Sequence, residues 1–503
     1  MSMRSAAAAG LLLLPLLAGC DGNGATGPRP RPVVQVELTP DSLTQVVGRE
    51  VEFVARAFDN RGEEVAGASI EWGVTDTLRL ALLDPGRVRL EAPGAAAVWA
   101  RADSVADTAA VRVAAEGEIR WRLRLDWFWT MGGPALSPDG QTLYVLTQAD
   151  PHRHSRLWAL RAEDGAVQWS LLIENAAGTY PFVGADGTIY VVGGSVFAVS
   201  PEGSFRWVLP IPNTIFPVLY AGAISDDGIL YAAAGHELLA LDVASRDTLW
   251  QAPISPIGAW APPPTLDPVA GVLYASQGEG PLYAFDAATG EVLWTRADTF
   301  MVLNPGYDAR HWANGPVAAN GRVHWPIADY LETLTPSNEV LWLSDDRSSA
   351  STEPLIAPDG VLLWQNGSGF EPRDPETGAA LWRDPFRDSG ISWAGGPGLA
   401  ADGTIYLLAS CGPCTPRETG LAAMDATAPL VVRWFYMTNP ETPPDSPPDS
   451  YHGMLGAPVI GPDGTVYTYN ADTLFAFWEN APPADTPWPM WRGDARRSGV
   501  VRR

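Results

Sequence analysis

From Val33 to Val113 apolar residues recur at every second position in short bursts: Val34, Val36 and Leu38, then Val51, Phe53 and Ala55, then Ile70, Trp72 and Val74, then Val88 and Leu90, then Val111 and Val113. Gly48, Asp59-Asn60-Arg61-Gly62, Asp84-Pro85-Gly86 and Pro93-Gly94 separate them. A period of two broken by turn formers predicts strands with one face buried, here a small β-sandwich with Trp72 as a core anchor.

After residue 118 the pattern becomes a repeat. Its first half is a strand, a turn and a strand with an aromatic residue: Asp139-Gly140 with Leu143-Tyr144, Asp186-Gly187 with Ile189-Tyr190, Asp227-Gly228 with Leu230-Tyr231, and Ala270-Gly271 with Leu273-Tyr274. It continues with Asn320-Gly321 and His324-Trp325, Asp359-Gly360 and Leu363-Trp364, Asp402-Gly403 and Ile405-Tyr406, and Asp463-Gly464 and Val466-Tyr467. The second half ends in tryptophan, at Trp121, Trp169, Trp207, Trp250, Trp294, Trp342, Trp382 and Trp434. Both series have eight members, spaced in the range of propeller repeats. Asp-Gly and Asn-Gly supply the positive φ of tight hairpins, so each unit predicts a four-stranded antiparallel sheet, and the array predicts an all-β, eight-bladed propeller. The tryptophan series begins before the first turn, so Glu118 to Leu125 is expected to complete the last blade, beside strands from Pro458 to Trp478.

Ala284-Phe285-Asp286-Ala287-Ala288-Thr289-Gly290-Glu291-Val292-Leu293-Trp294 resembles the repeat of the PQQ-like (quinoprotein-like) propeller family, and Asp374 to Trp382 is a second copy. The tail Trp488-Pro489-Met490-Trp491-Arg492-Gly493-Asp494 is also a phrase of such proteins and competes with the amino-terminal strand for the closing position. Val47 to Val51, Phe58 to Gly62, Ile70-Glu71-Trp72 and Pro93-Gly94 with Val98-Trp99-Ala100 resemble the bacterial Ig-like domain of group 2, which implies a spacer or adhesive module.

The amino terminus carries Arg4 and an apolar run from Ala6 to Leu17, too short to span a bilayer but suited to export. Leu17-Ala18-Gly19-Cys20 resembles the lipobox of bacterial lipoproteins, which implies cleavage after residue 19 and lipidation of Cys20. The expected domains are thus a signal peptide over 1–19, a Gly- and Pro-rich tether over 20–32, an Ig-like sandwich over 33–114 and a propeller over 118–503. This places the chain in the envelope, anchored to the outer or inner membrane, periplasmic or surface-exposed. The propeller is expected to be monomeric.

Composition narrows the partners. The 503 residues hold 46% hydrophobic side chains and 21 Trp, which excludes a disordered chain. A net charge of −25 argues against nucleic acid and against electrostatic binding to anionic lipid. Beyond Cys20 only Cys411 and Cys414 remain, and an oxidising envelope favours their pairing. Cys411-Gly412-Pro413-Cys414 matches the thioredoxin redox motif in letters, but its all-β setting lacks the helix that stabilises the thiolate, so a loop-closing disulfide is expected.

Strand order puts the Asp-Gly and Thr-Gly turns on one face and every long connection on the other. That loop-rich face would carry Trp127, Phe128, Trp129, Tyr180, Phe216, Trp260, Tyr307, Trp312, Trp393 and Tyr451, a candidate mouth for a protein, peptide or carbohydrate. It would also carry His152, His154, His236, His311 and His452, but no two have helical ligand spacing, His152 and His154 sit in a polar loop beside Arg153 and Arg156, and no metal is expected. Quinoprotein dehydrogenases hold their cofactor against a disulfide of adjacent cysteines, with calcium on acidic residues. This chain has no adjacent cysteines, so a non-enzymatic binding scaffold without cofactor is expected, by analogy with the lipoprotein propeller of the outer-membrane protein assembly machine. A divergent quinoprotein oxidoreductase using PQQ and calcium is the alternative.

Overall fold

A computed structural model describes residues 31–502 apart from 126–131, 149–153, 175, 177–178, 212–220, 235–236, 255–261, 277–280, 298–314, 328–329, 345–352, 367–368, 383–390, 412–417, 427–430, 439–455, 471 and 491. The described residues contain strands and turns and no helix.

Residues 35–114 form three sheets. In the largest, Ser42–Val46 runs parallel to Val105–Ala114, which pairs with Gly94–Ala102 and then Glu71–Val74. The facing strands are Gln35–Thr39 with Val54–Phe58, and Glu50–Glu52 with Arg87–Leu90 and Leu80–Asp84. Their alternate residues share one core, including Val36, Leu38, Val88, Val98 and Val111. Phe53 and Leu80 are buried in it, and Trp72 is half-buried and packs against it.

Eight sheets follow among the described residues. The first comprises Ala135–Leu136, Thr142–Gln148, His154–Arg161 and Val167–Glu174 in sequence order, and the second to fifth repeat this meander. The sixth has three strands, Leu355–Ile356, Leu362–Asn366 and Gly369–Arg373, plus a single bridge from Arg373 to Ala380. The seventh is again four-stranded. In the eighth, Val459–Ile460, Val466–Asn470 and Thr473–Phe477 are completed by Ile119–Arg124. The amino-terminal strand therefore holds the closing position, and the carboxy-terminal tail does not compete for it.

Register explains the aromatic repeat. Tyr144 lies opposite Ala159, which lies opposite Trp169, so a methyl group separates the two rings and they meet over it at 6.1 Å. Tyr190, Ala198 and Trp207 repeat this, as do Tyr231, Ala240 and Trp250, and Tyr467, Ala476 and Trp121. In the fifth sheet the equivalent triplet is His324, Thr333 and Trp342, and in the sixth the place opposite the third strand's Pro372 belongs to Leu363. Trp325 and Trp364, the aromatics that the sequence pattern picks out, are one register step away, opposite Glu332 and Glu371. Those two carboxylates are buried and held by Arg296 and Arg373 at 2.6 and 2.8 Å. His324 bonds Thr333 at 2.9 Å, and burial pushes its ring down to about 3, so it stays neutral.

The tryptophans also join neighbouring sheets. Five of the indole N–H groups reach a carbonyl in the next unit's last turn: Trp121 to Ala162, Trp169 to Pro201, Trp250 to Ala287, Trp294 to Pro336 and Trp342 to Pro375, at 2.7–3.0 Å. The turn's glycine sits under the ring, as Gly290 does under Trp250. At the seam the linker supplies this glycine, Gly117 beneath Trp434, while the Trp434 indole donates to Glu479 at 2.6 Å.

The same seam holds the amino-terminal sheets. Val46, Ala114 and Trp478 form a buried cluster, Arg49 donates to the Asn480 carbonyl at 2.8 Å, and Gly117 donates to the Trp478 carbonyl at 3.0 Å. Burial, reinforced by the Glu116 carboxylate, pushes Glu479 up to about 7 against the hydrogen bonds from Tyr406 and Trp434.

Gly290→Ala is expected to lower stability by about 1–3 kcal/mol, because its methyl would enter the Trp250 ring at a positive φ. Gly271→Ala, also at positive φ but facing open space, is expected to cost about 1 kcal/mol, and comparing urea unfolding of the two isolates the ring contact. Glu479 binds its proton more tightly when folded, so its contribution is complete below the unfolded value near 4.5 and is lost as pH rises to about 7. A loss on the order of 3 kcal/mol across that window, abolished in Glu479→Gln, is expected from unfolding curves taken at several pH values.

Candidate interaction site

The first strand of each sheet lines the centre of the ring, and its opening residue is usually preceded by proline. Pro134, Pro181, Pro264, Pro316, Pro354 and Pro458 each stand immediately before such a strand. Proline has no N–H to satisfy there and fixes an extended entry. Two residues later an N–H points into the ring centre, where no further strand of the sheet exists to accept it.

The tail supplies the acceptors. Leu136, Val183, Ile224 and Leu266 donate to the carbonyls of Ala495, Arg496, Ser498 and Gly499 at 2.8–3.0 Å. Ile356 and Leu399 donate to Trp488 and Pro489 at 3.1 and 2.8 Å, and Ile460 to the Met490 sulfur at 3.3 Å. The tail thus passes the sixth, seventh, eighth, first, second, third and fourth sheets in turn. Arg492, Gly493, Arg497 and Gly499 adopt positive φ, which bends the chain round this tight circle.

From this belt two guanidinium groups reach toward the strand openings, on the loop-rich side. Arg497 donates to the carbonyls of Pro134, Ala457 and Pro458 at 2.7–3.1 Å. Arg492 donates to the Pro264 carbonyl at 2.5 Å and to Glu353 at 3.2 Å, and both members of this ion pair are fully buried. Burial pushes the Glu353 carboxyl upward against the pull of Arg492, and burial lowers Arg497 to about 10. Gly133 and Gly315 leave room for these groups, since a Cβ at either would strike a backbone carbonyl and an arginine.

Of the candidate mouth residues, Tyr180 has a described side chain. It is 6% exposed, packs on Phe182 at 6.4 Å and lies beside Arg492 and Arg497, and burial pushes its hydroxyl up to about 12. Tyr180 is therefore buried in the wall at this position. Trp127, Phe128, Trp129, Phe216, Trp260, Tyr307, Trp312 and Tyr451 lie outside the described residues, as do Cys20 and Cys414. The backbones of Trp393 and Cys411 lie in the strands Ile391–Leu399 and Thr404–Cys411, paired at Ile391 and Cys411, with their side chains outside the description. His152, His236, His311 and His452 are likewise outside it, and His154 begins a strand. Among the described residues no three His, Cys, Asp or Glu side chains converge as a metal site would require.

Sequence reasoning missed Glu353, Arg492 and Arg497. The usable signal was the proline before six of the first strands, together with arginines in a Gly-rich tail otherwise built for burial.

A family profile described as outer membrane protein assembly factor BamB matches residues 103–315 and 234–384. An outer membrane protein assembly factor BamB from Yersinia pestis is 25% identical over 276 residues, covering 49% of this chain and 62% of the relative. This chain thus spans under two thirds of that relative's length. Among solved structures, BamB from Moraxella catarrhalis is 16% identical over 71% of this chain and 95% of its own, with a TM-score of 0.49. The computationally designed Ika8 protein is 11% identical over 72% of this chain and 100% of its own, with a TM-score of 0.51, a likeness of fold.

Breaking the buried pair with Glu353→Ala is expected to destabilise the chain by about 3–5 kcal/mol, because Arg492 is left buried without its anion. Adding Arg492→Met to Glu353→Ala is expected to recover part of that loss, measured as a double-mutant cycle in thermal unfolding.

Proposed function

Because the chain belongs to the family described as outer membrane protein assembly factor BamB, we propose that it is a non-enzymatic lipoprotein scaffold of the cell envelope, serving outer-membrane assembly by binding protein partners. In this reading residues 1–19 are removed, Cys20 carries lipid, 20–32 form a tether, 33–114 fold as an Ig-like spacer and 118–503 form an eight-bladed propeller. Cys411 and Cys414 close a loop as a disulfide.

The observation that carries the reading is the family match over 103–384, which falls on the ring of antiparallel sheets. The direction of entry supports a division of labour between the faces. Ile119 lies opposite Phe477 and Arg124 opposite Thr473, so the chain enters the ring on the side of the short turns. The spacer then stands on that side, and the loop-rich face is turned away from the tether, toward partners. The aromatic residues of its long connections, Trp129, Trp260 and Trp393 among them, would supply broad contacts at low entropic cost.

A quinone cofactor does not fit the donor set of this chain. The adjacent-cysteine disulfide that the PQQ-like resemblance calls for is replaced by Cys411 and Cys414 with two residues between them. No redox step is therefore assigned.

Photo-crosslinking from positions 129 and 260 in cells is expected to capture an envelope protein, with capture reduced at least tenfold when Trp129, Trp260 and Trp393 are all changed to alanine. Cys20→Ala is expected to move the chain from the membrane to the soluble fraction. Absence of any crosslinked protein, or dye reduction by the purified chain given PQQ and calcium, would overturn the reading.

A further inference from the structure

The neck between the amino-terminal sheets and the ring hangs on three consecutive residues. Trp478 is buried in a cluster with Val46 and Ala114, and the Arg120 guanidinium covers its ring at 4.5 Å. The Asn480 carbonyl accepts from Arg49 at 2.8 Å, and the Asn480 amide donates to the Val47 carbonyl at 3.3 Å. Glu479, between them, points instead to the seventh sheet, where its carboxyl accepts from the Tyr406 hydroxyl at 3.0 Å and the Trp434 indole at 2.6 Å. One residue therefore ties the fastening of the amino-terminal sheets to the seam of the ring.

The linker brings a second carboxylate to this point. Gly117 lies beneath the Trp434 ring and donates to the Trp478 carbonyl at 3.0 Å, and the Glu118 carbonyl accepts from the Trp478 N–H at 2.8 Å. Glu116, one residue earlier, is half-buried and makes no hydrogen bond or ion pair through its side chain among the described residues. The other charges of the packed elements are spent on one another: Arg433 on Asp402 at 2.8 Å and Asp425 at 4.0 Å, Arg120 on Asp463 at 2.7 Å, and Arg112 on Glu118. Glu479 is 4% exposed, and the charge that acts on it is that of Glu116, with no arginine paired to either. A buried anion beside another anion is relieved by a proton or by water, and water reaches Glu479 only if the 478–480 segment moves.

We propose that the neck is a proton-dependent latch: protonated Glu479 holds the amino-terminal sheets fast to the ring, and ionised Glu479 draws water into the seam, displaces Trp478 and Asn480 and lets the sheets swing. Burial, reinforced by Glu116, raises this carboxyl to about 7 against its two hydrogen bonds. The closed neck binds the proton more tightly than the open one, so the proton-linked hold is complete below the ordinary value of 4.5 and is lost as pH rises to about 7. The latch sets the angle at which the ring is presented, and it does not rest on what the ring binds.

Double electron–electron resonance tests this in the full chain, with nitroxides on ketone-bearing amino acids in place of Ala106 and Ser170, which are exposed on the amino-terminal sheets and on the first sheet of the ring. A narrow distance distribution is expected at about pH 5 and one at least twice as broad at about pH 8, with the far-UV circular dichroism unchanged. Glu479→Gln, which keeps the shape of the protonated acid, is expected to stay narrow at both. Glu116→Gln, which removes the repulsion, is expected to broaden less than the parent chain at the higher pH. Equal widths at the two pH values in the parent chain, or broadening of Glu479→Gln to the parent's extent, would overturn the latch. Broadening that comes only with loss of the far-UV signal would assign it to unfolding and overturn the latch as well.

Discussion

A ring of sheets leaves the innermost strand of every sheet with N–H groups that face the axis and no neighbouring strand to receive them. A buried backbone donor left without a partner costs about 1–3 kcal/mol, so several such groups around one axis would rival the whole stability of a domain. Here the tail from Trp488 to Gly499 answers that demand with one acceptor for each of seven sheets in succession. Closure is thus achieved twice. At the rim, Ile119–Arg124 completes the last sheet, and at the axis the tail binds the sheets to one another.

The tail also decides what each face is. Its side chains fill the axis, with Trp488, Arg492 and Arg497 buried, so the two faces are separated by packed protein. On the loop-rich side the belt projects Arg492 and Arg497, both consumed by carbonyls and Glu353, which makes a rigid floor rather than a reactive one. On the short-turn side its one carboxylate, Asp494, is consumed by Arg496 and Ser498.

Much of this was legible in the sequence, and the parts that were not have physical reasons. The Asp-Gly turns and terminal tryptophans marked the units because positive φ and a large indole are hard to replace. The exchange of Ile119–Arg124 into the last sheet followed from the offset between the two series. In the fifth and sixth units the residue pairs alone do not reveal the register, because Trp325 and Trp364 look like the aromatic of the pattern while His324 and Leu363 occupy its place. Trp72 was taken for a core anchor although Phe53 fills that role, since burial depends on which sheet covers a residue and not on its size. The tail was recognised as a phrase but not as a belt, because its contacts are to backbone N–H groups that carry no side-chain signature. The mouth was assigned from loop aromatics alone, and Tyr180 shows that such a ring can serve the wall instead.

Hydrogen–deuterium exchange of the first strands addresses the belt most directly. Amides of Leu136, Val183, Ile224, Leu266, Ile356 and Leu399, followed by mass spectrometry of their peptides, should exchange as slowly as the second-strand amides beside Tyr144 and Tyr231. They should lose that protection together in a chain shortened after Pro487. Exchange at surface-loop rates in the intact chain, or unchanged protection once the tail is removed, would contradict a ring held at its axis by its own carboxy-terminal segment.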